Sequence, residues 1–123
     1  MCKIRPDKLP GNGICVDIKT TDDASPEGFS KSCANYGYHI QAAFYLEGLT
    51  RITGEQHDTF VFIAVEKTPP YGIGVYYASH DFIAKGRELM GKALDIYSEC
   101  LKTNLWPCYS AEAKELNLPR WAV

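Results

Sequence analysis

Two acidic side chains and one lysine near the start of the chain have types and spacing that suit cation chemistry. Asp17 and Lys19 lie two residues apart in Ile14–Thr21, a segment rich in β-branched residues that is typical of a strand. Side chains two residues apart on a strand point to the same face of the sheet. Nine residues separate Asp7 from Asp17, and a hairpin would bring the two carboxylates together.

Two neighbouring carboxylates repel each other unless a cation lies between them. Magnesium suits such a pair because it binds one or two carboxylates together with water and substrate phosphate. The ion would lower the pKa of a bound water and polarise a phosphate group. Lys19 would then hold the attacking water or stabilise charge on the phosphoryl oxygens. The alternative interpretation is an ordinary pair of charges on a solvent-exposed strand.

Composition narrows the class of protein. A chain of 123 residues with 46% hydrophobic and 23% charged residues is not mainly disordered and suffices for one domain. It contains no apolar run of about 18 residues, so no membrane association is expected. Five cysteines without a C-x-x-C pair indicate reduced thiols in a cytoplasmic protein. The net charge of −2 counts mildly against a dedicated DNA-binding domain, although four basic residues in the first nineteen could form a local groove.

Hydrophobic periodicity and turn residues predict the order β-β-α-β-β-α, hence a mixed α/β sheet with flanking helices. Ser25 and Pro26 indicate a helix start, and Gly37 is a weak point inside that helix. Glu66 and Lys67 end a strand and are interpreted as surface residues. The predicted elements are strands at 2–6, 14–21, 60–65 (buried and central) and 73–77, helices at 26–51 and 80–103, a turn at 8–13, and a short helical turn at 111–116.

Pro6-Asp7, nine further residues and Asp17-Ile18-Lys19 together resemble the PD-(D/E)XK nuclease signature. A wider set of segments resembles, in order and with similar gaps, the C-terminal nuclease domain of exodeoxyribonuclease VIII (the RecE-like family). This similarity covers nearly the whole chain. Its segments are 2–7, 16–21, 38–45, 60–65 and 118–122.

The resemblance implies a restriction-endonuclease-like core and a magnesium-dependent exodeoxyribonuclease that degrades double-stranded DNA from 5′ ends in phage-type recombination. It implies Asp7, Asp17 and the Ile18 backbone carbonyl as ligands of Mg²⁺, for which Mn²⁺ can substitute, and Lys19 as the catalytic lysine. The implied partners are duplex DNA ends, further copies of the chain in a ring, and a single-strand annealing protein.

Gln41 and Tyr45 lie four residues apart on one helix face, and Tyr38 lies on the same stripe. The pair looks like the Gln-x-x-x-Tyr motif of RecB-type nucleases. Gln41 is therefore expected to position Lys19, the water or a DNA phosphate, and Tyr45 to combine site and core roles. The alternative is a helix with polar edges that packs Tyr45 into the core.

The sequence departs from the family pattern at its start. The fold usually begins with a helix that supplies an acidic or histidine residue to the metal site, whereas this chain begins at the motif strand. We expect residues 1–123 to form a single nuclease-like domain that lacks this helix. It would be the C-terminal part of a longer nuclease, a short product completed by a partner, or a remnant that cannot cut. Low activity of the chain alone is expected.

The competing functions are a non-catalytic binding module of the same fold and an unrelated small α/β interaction protein.

Overall fold

A computed structural model describes all 123 residues, which form two compact units, 1–93 and 94–123. The first unit contains the whole sheet and the candidate site. That residues 1–123 form a single nuclease domain stays a prediction. The elements are β1 (Lys8–Gly11), β2 (Ile14–Thr21), α1 (Pro26–Tyr36), α2 (Tyr38–Thr53), β3 (Thr59–Glu66), β4 (Ile73–Tyr77), α3 (His80–Thr103) and a short 3-10 helix (Arg120–Ala122).

The four strands form one sheet in the order β1-β2-β3-β4. β2 and β3 run parallel, and the two outer pairs are antiparallel, so the predicted mixed sheet is confirmed. β3 is central, as predicted. Phe60, Phe62 and Ala64 are buried, whereas the residues between them are only partly buried, because helices cover a single face of the sheet.

The first strand lies later in the chain than predicted. Residues 2–6 form no strand, and β1 instead occupies the segment that was assigned to a turn. The turn itself is Asn12-Gly13, where both residues have positive φ, 54° and 71°. Such a two-residue turn fixes the pairing of the residues on either side of it. The predicted hairpin is therefore confirmed, with Gly11 opposite Ile14.

The predicted helix from Pro26 to about Arg51 is in fact two helices. Its start is confirmed, since the Ser25 side chain accepts a hydrogen bond from the Gly28 amide at 3.1 Å. Gly37 adopts a left-handed conformation, with φ 69°, which ends α1 and lets α2 begin at the next residue in a new direction.

The core lies between the sheet and the helices. Aromatic rings of α1, β3 and α3 meet there: Phe62 lies 5.7 Å from Phe29 and 5.8 Å from Phe82 between ring centroids. The opposite face of the sheet carries apolar side chains that remain exposed. Those with more than half of their surface exposed are Ile18, Ile73, Val75 and Tyr77.

The second unit has its own ring contact, 5.9 Å between the centroids of Tyr97 and Trp106. The helical turn predicted at 111–116 is wrong: this segment contains bends only, and the tail is helical only at Arg120–Ala122. This segment has no periodic apolar face through which packing could stabilise a helix. None of the helices is both long enough and apolar enough to cross a lipid bilayer.

Gly86 allows α3 to approach α2 closely, because a Cβ atom there would overlap the carbonyl oxygen of His39 and lie 3.2 Å from the Cβ of Ala43. We expect Gly86→Ala to lower the free energy of unfolding by about 1–3 kcal/mol through overpacking. Gly91 is the matched control on the same helix, with nothing within 4 Å of an added Cβ. Gly91→Ala should raise stability by up to about 1 kcal/mol through helix propensity. Urea unfolding followed by circular dichroism measures both, and equal stabilities would contradict this packing.

Candidate active site

Asp17 and Lys19 lie on the covered face of β2, as their two-residue spacing predicts. Asp17 is 4% exposed, and the Lys19 side chain is 19% exposed. Their charged groups form an ion pair, with 2.7 Å between Lys19 Nζ and Asp17 Oδ2. The alternative of an ordinary solvent-exposed pair is therefore wrong. Burying a carboxylate costs free energy unless an opposite charge or hydrogen bonds compensate it. Lys19 therefore helps to stabilise Asp17 at this buried position.

Gln41 joins the two charges from the first turns of α2. Its Oε1 accepts a hydrogen bond from Lys19 Nζ at 2.8 Å, and its Nε2 donates to Asp17 Oδ1 at 3.1 Å. One amide thus binds both partners of the ion pair, and the three side chains close a polar triangle. Of the three residues on which the sequence centred the site, Asp17 and Lys19 meet here, and Gln41 contacts Lys19 as expected.

Tyr38 lies under this polar triangle. The Lys19 Nζ is 4.5 Å from the centroid of the Tyr38 ring, a cation–π distance. The sequence placed Tyr38 on the same helical stripe as Gln41 but gave no indication of its contact with the lysine. The aromatic face and Gln41 together restrict where the ammonium can move, which leaves Lys19 held on three sides.

Asp7 lies at the edge of β2 rather than in the polar triangle. It is exposed, and its Oδ2 accepts a hydrogen bond from the Ile18 amide at 2.8 Å. The N–H and C=O groups of one strand residue point to the same edge. The Ile18 carbonyl therefore points to the edge of β2 at which the Asp7 carboxylate lies.

Cys15 lies on β2, two residues before Asp17, and both carboxylates affect the pKa of its thiol. Burial raises the pKa of the Cys15 thiol to about 11, and the negative charges of Asp17 and Asp7 add to that rise. At neutral pH the group is therefore an uncharged thiol, and thiolate ligation by Cys15 is disfavoured. The chemistry of this site rests on its oxygen atoms.

Tyr45 lies four residues beyond Gln41 but packs toward the core, with its ring centroid 6.3 Å from that of Phe60. This contact is the packing half of the mixed role expected for Tyr45, and its assignment as a catalytic residue stays a prediction. His39, which was left out of the site, lies edge-on to Phe82 at 5.8 Å between centroids.

The residues present fit a hard divalent cation. Asp17 Oδ2 is buried and has no hydrogen-bond donor in acceptable geometry, its close contact being the ion pair with Lys19. No group of three or more His, Cys, Asp or Glu side chains is arranged to hold a metal. A site here would therefore use the Asp7 and Asp17 carboxylates, the Ile18 carbonyl, and water or substrate oxygens. Such an all-oxygen set is what Mg²⁺ prefers.

Removing the lysine should expose the cost of the buried carboxylate. We expect Lys19→Met to lower the free energy of unfolding by about 2–3 kcal/mol, less than for a fully buried pair because Lys19 is partly exposed. The double variant Asp17→Asn, Lys19→Met should recover at least about 1 kcal/mol of the summed single losses. Lys92→Met, on an exposed pair with Glu88, should change stability by less than about 0.5 kcal/mol. A loss for Lys19→Met no larger than for this control would contradict the ion pair. Urea titrations of these three variants and of the single variant Asp17→Asn measure the losses.

Comparison with known proteins places this chain in a family. Residues 1–119 match the family described as PDDEXK-like domain of unknown function (DUF3799). The fold is similar to the crystal structure of a "Putative exonuclease" from Eubacterium rectale, with a TM-score of 0.65 and 18% identity over 88% of this chain and 45% of that chain. The chain thus spans less than half the length of that protein. Comparison with curated protein sequences gave no match. Since the family covers nearly all of the sequence, the chain belongs to the PDDEXK-like family DUF3799 and has the fold of the PD-(D/E)XK superfamily.

Proposed function

We propose that this chain is a magnesium-dependent deoxyribonuclease domain that hydrolyses phosphodiester bonds at the ends of duplex DNA. The observation that carries the proposal is the polar triangle of Asp17, Lys19 and Gln41 beside the edge formed by Asp7 and Ile18. Membership of a PDDEXK-like family supports the reaction class.

The lysine has the geometry of a group that stabilises developing negative charge. Its ammonium is fixed by Gln41 and by the face of Tyr38, so it needs little reorganisation when charge builds on a phosphoryl oxygen. Asp17 restrains it from the other side at 2.7 Å. Gln41 is a positioning residue on this account, since both ends of its amide are engaged within the polar triangle.

The two carboxylates and the Ile18 carbonyl would hold the divalent ion. When bound, such an ion supplies a water of lowered pKa and polarises the scissile phosphate. Asp7 contributes an exposed carboxylate of which one oxygen is oriented by the Ile18 amide, so the other is available to a cation. One carboxylate oxygen of Asp17 accepts a hydrogen bond from Gln41, and the other forms the ion pair with Lys19.

Action at duplex ends is the finer part of the proposal. It is supported by the likeness of the fold to a protein named as a putative exonuclease and by the RecE-like segments. Degradation from 5′ ends, assembly into a ring and cooperation with a single-strand annealing protein rest on the latter resemblance.

One observation favours a second candidate, a binding module of the same fold that does not cut. The site offers only two acidic side chains, and both oxygens of Asp17 already have partners within the chain. Two carboxylates and a carbonyl suffice for weak metal binding, and turnover would then need a ligand from elsewhere.

Linear duplex DNA labelled at either the 5′ or the 3′ end, incubated with the protein and Mg²⁺, separates the two candidates. We expect release of label from the 5′ ends, no cutting of covalently closed circles, and no reaction in EDTA. Asp17→Asn and Lys19→Met should each slow cleavage by about a hundredfold or more, because each removes a group that acts on the transition state.

Asp58→Asn and Lys92→Met are the matched controls, since both residues are exposed and lie outside the polar triangle. Their rates should stay within about twofold of the parent rate. If the parent chain binds Mn²⁺ and duplex DNA but does not cut at stoichiometric concentration, the nuclease proposal is overturned in favour of the binding module.

A further inference from the structure

A second polar feature lies at the carboxyl ends of the parallel strands β2 and β3. It is a cavity of about 190 Å³ that opens between these strand ends and the junction of α1 with α2. At roughly 30 Å³ for each water molecule, it has room for about six waters and hence for a phosphate group. We call it the Lys67 pocket. It is lined by Thr20, Thr21, Asp22, Ser32, Tyr36, Tyr38 and Lys67.

The lining of the Lys67 pocket is rich in hydroxyl groups. Those of Ser32, Tyr36 and Tyr38 make no hydrogen bond within the chain and are free to donate. Lys67 is the one cationic side chain among the lining residues. An ammonium together with several unengaged hydroxyl donors is the chemistry that recognises a phosphate.

Asp22 is the present partner of that ammonium, with 3.3 Å between Lys67 Nζ and Asp22 Oδ1. The pair is weak, because the Asp22 side chain is 91% exposed and that of Lys67 is 54% exposed. The nearby Asp23 and Glu66 carboxylates are engaged elsewhere, on the backbone amides of Ser25 and Ala24. An incoming phosphate therefore has to displace only one solvent-exposed carboxylate.

The Lys67 pocket adjoins the candidate active site. Tyr38 lines the pocket, and the face of its ring also contacts the Lys19 ammonium. Thr21, another lining residue, lies two residues beyond Lys19, or about 7 Å along the strand. Successive phosphates of one DNA strand are about 3.4 Å apart along the helix axis, so this separation is within two nucleotides. Tyr36 is 72% exposed at the rim and is available to stack on a base.

From this arrangement we propose that the Lys67 pocket binds a phosphate of the DNA strand within two nucleotides of the one being cleaved, and that Asp22 forms an ion pair with Lys67 until that phosphate displaces it. The inference rests on the proposed function, since it assigns a second subsite to the same substrate. Glu66 and Lys67 were interpreted from sequence as surface residues; Lys67 is exposed, but it belongs to a shaped polar cavity.

Binding is tested without metal, so that it does not depend on cleavage. Thymidine dinucleotides with either a 5′-phosphate or a 5′-hydroxyl are titrated into the isotope-labelled protein in EDTA, and amide shifts are followed by NMR. Shifts at Thr20, Ser32 and Lys67 with both ligands identify a backbone diester as the occupant. The same shifts with the phosphorylated ligand alone identify a terminal phosphate. Either result supports the proposal.

Charge variants give opposite expected changes. Lys67→Met should weaken dinucleotide binding about fivefold and lower the salt slope of duplex binding by about one. Asp22→Asn should strengthen binding about threefold, because it removes the competing carboxylate. Glu88→Gln and Lys92→Met, a matched exposed pair on α3, should leave binding within twofold.

Shifts confined to other residues, or equal affinities for Lys67→Met, Asp22→Asn and the parent, would overturn the pocket assignment. Its failure is distinguishable from that of the proposed function. Cleavage that needs Lys19 but ignores Lys67 removes only the pocket, whereas pocket binding without cleavage by the parent removes only the nuclease.

Discussion

The buried charge of Asp17 is the constraint on which the rest of the site depends. A carboxylate that is 4% exposed must be compensated, and the chain does so with an ammonium from the same strand and an amide from the next helix. The compensation comes from groups that can also serve phosphate chemistry. The polar triangle therefore links stability and function, because Lys19 and Gln41 are held in place by the same contacts that make the acidic residue tolerable.

Backbone features away from the polar triangle determine whether Gln41 can reach it. The left-handed conformation of Gly37 ends α1 and starts α2 beneath β2. Gly86 then lets α3 lie against the His39 carbonyl, two residues before Gln41, and so packs the first turns of α2 from the other side. Parallel pairing of β2 with β3 puts Lys19 opposite Ala64, a small buried residue beside which the long side chain can lie. Each feature is local, and together they set the position of one amide.

Much of this arrangement follows from sequence patterns of short range. Alternation on β2 predicted that Asp17 and Lys19 share a face, and Ser25-Pro26 marked a helix start that the structure confirms. The predicted position of the first strand was wrong. The Asn12-Gly13 turn sets the strand register, and the apolar residues before it do not. The break at Gly37 follows from the left-handed conformation of a glycine that the sequence marked only as a weak point. The ring of Tyr38 under Lys19 and the Lys67 pocket arise from tertiary packing between distant segments, which no local pattern encodes.

The central claim is that Asp7, Asp17 and the Ile18 carbonyl share one divalent ion beside Lys19. The most direct measurement is a crystal structure of the protein soaked in Mn²⁺, with the ion located by its anomalous scattering. We expect one ion about 2.1 Å from an oxygen of each of these three groups, with the Lys19 ammonium retained next to it. An ion bound to other acidic residues, or Asp7 and Asp17 with no ion in common, would contradict it.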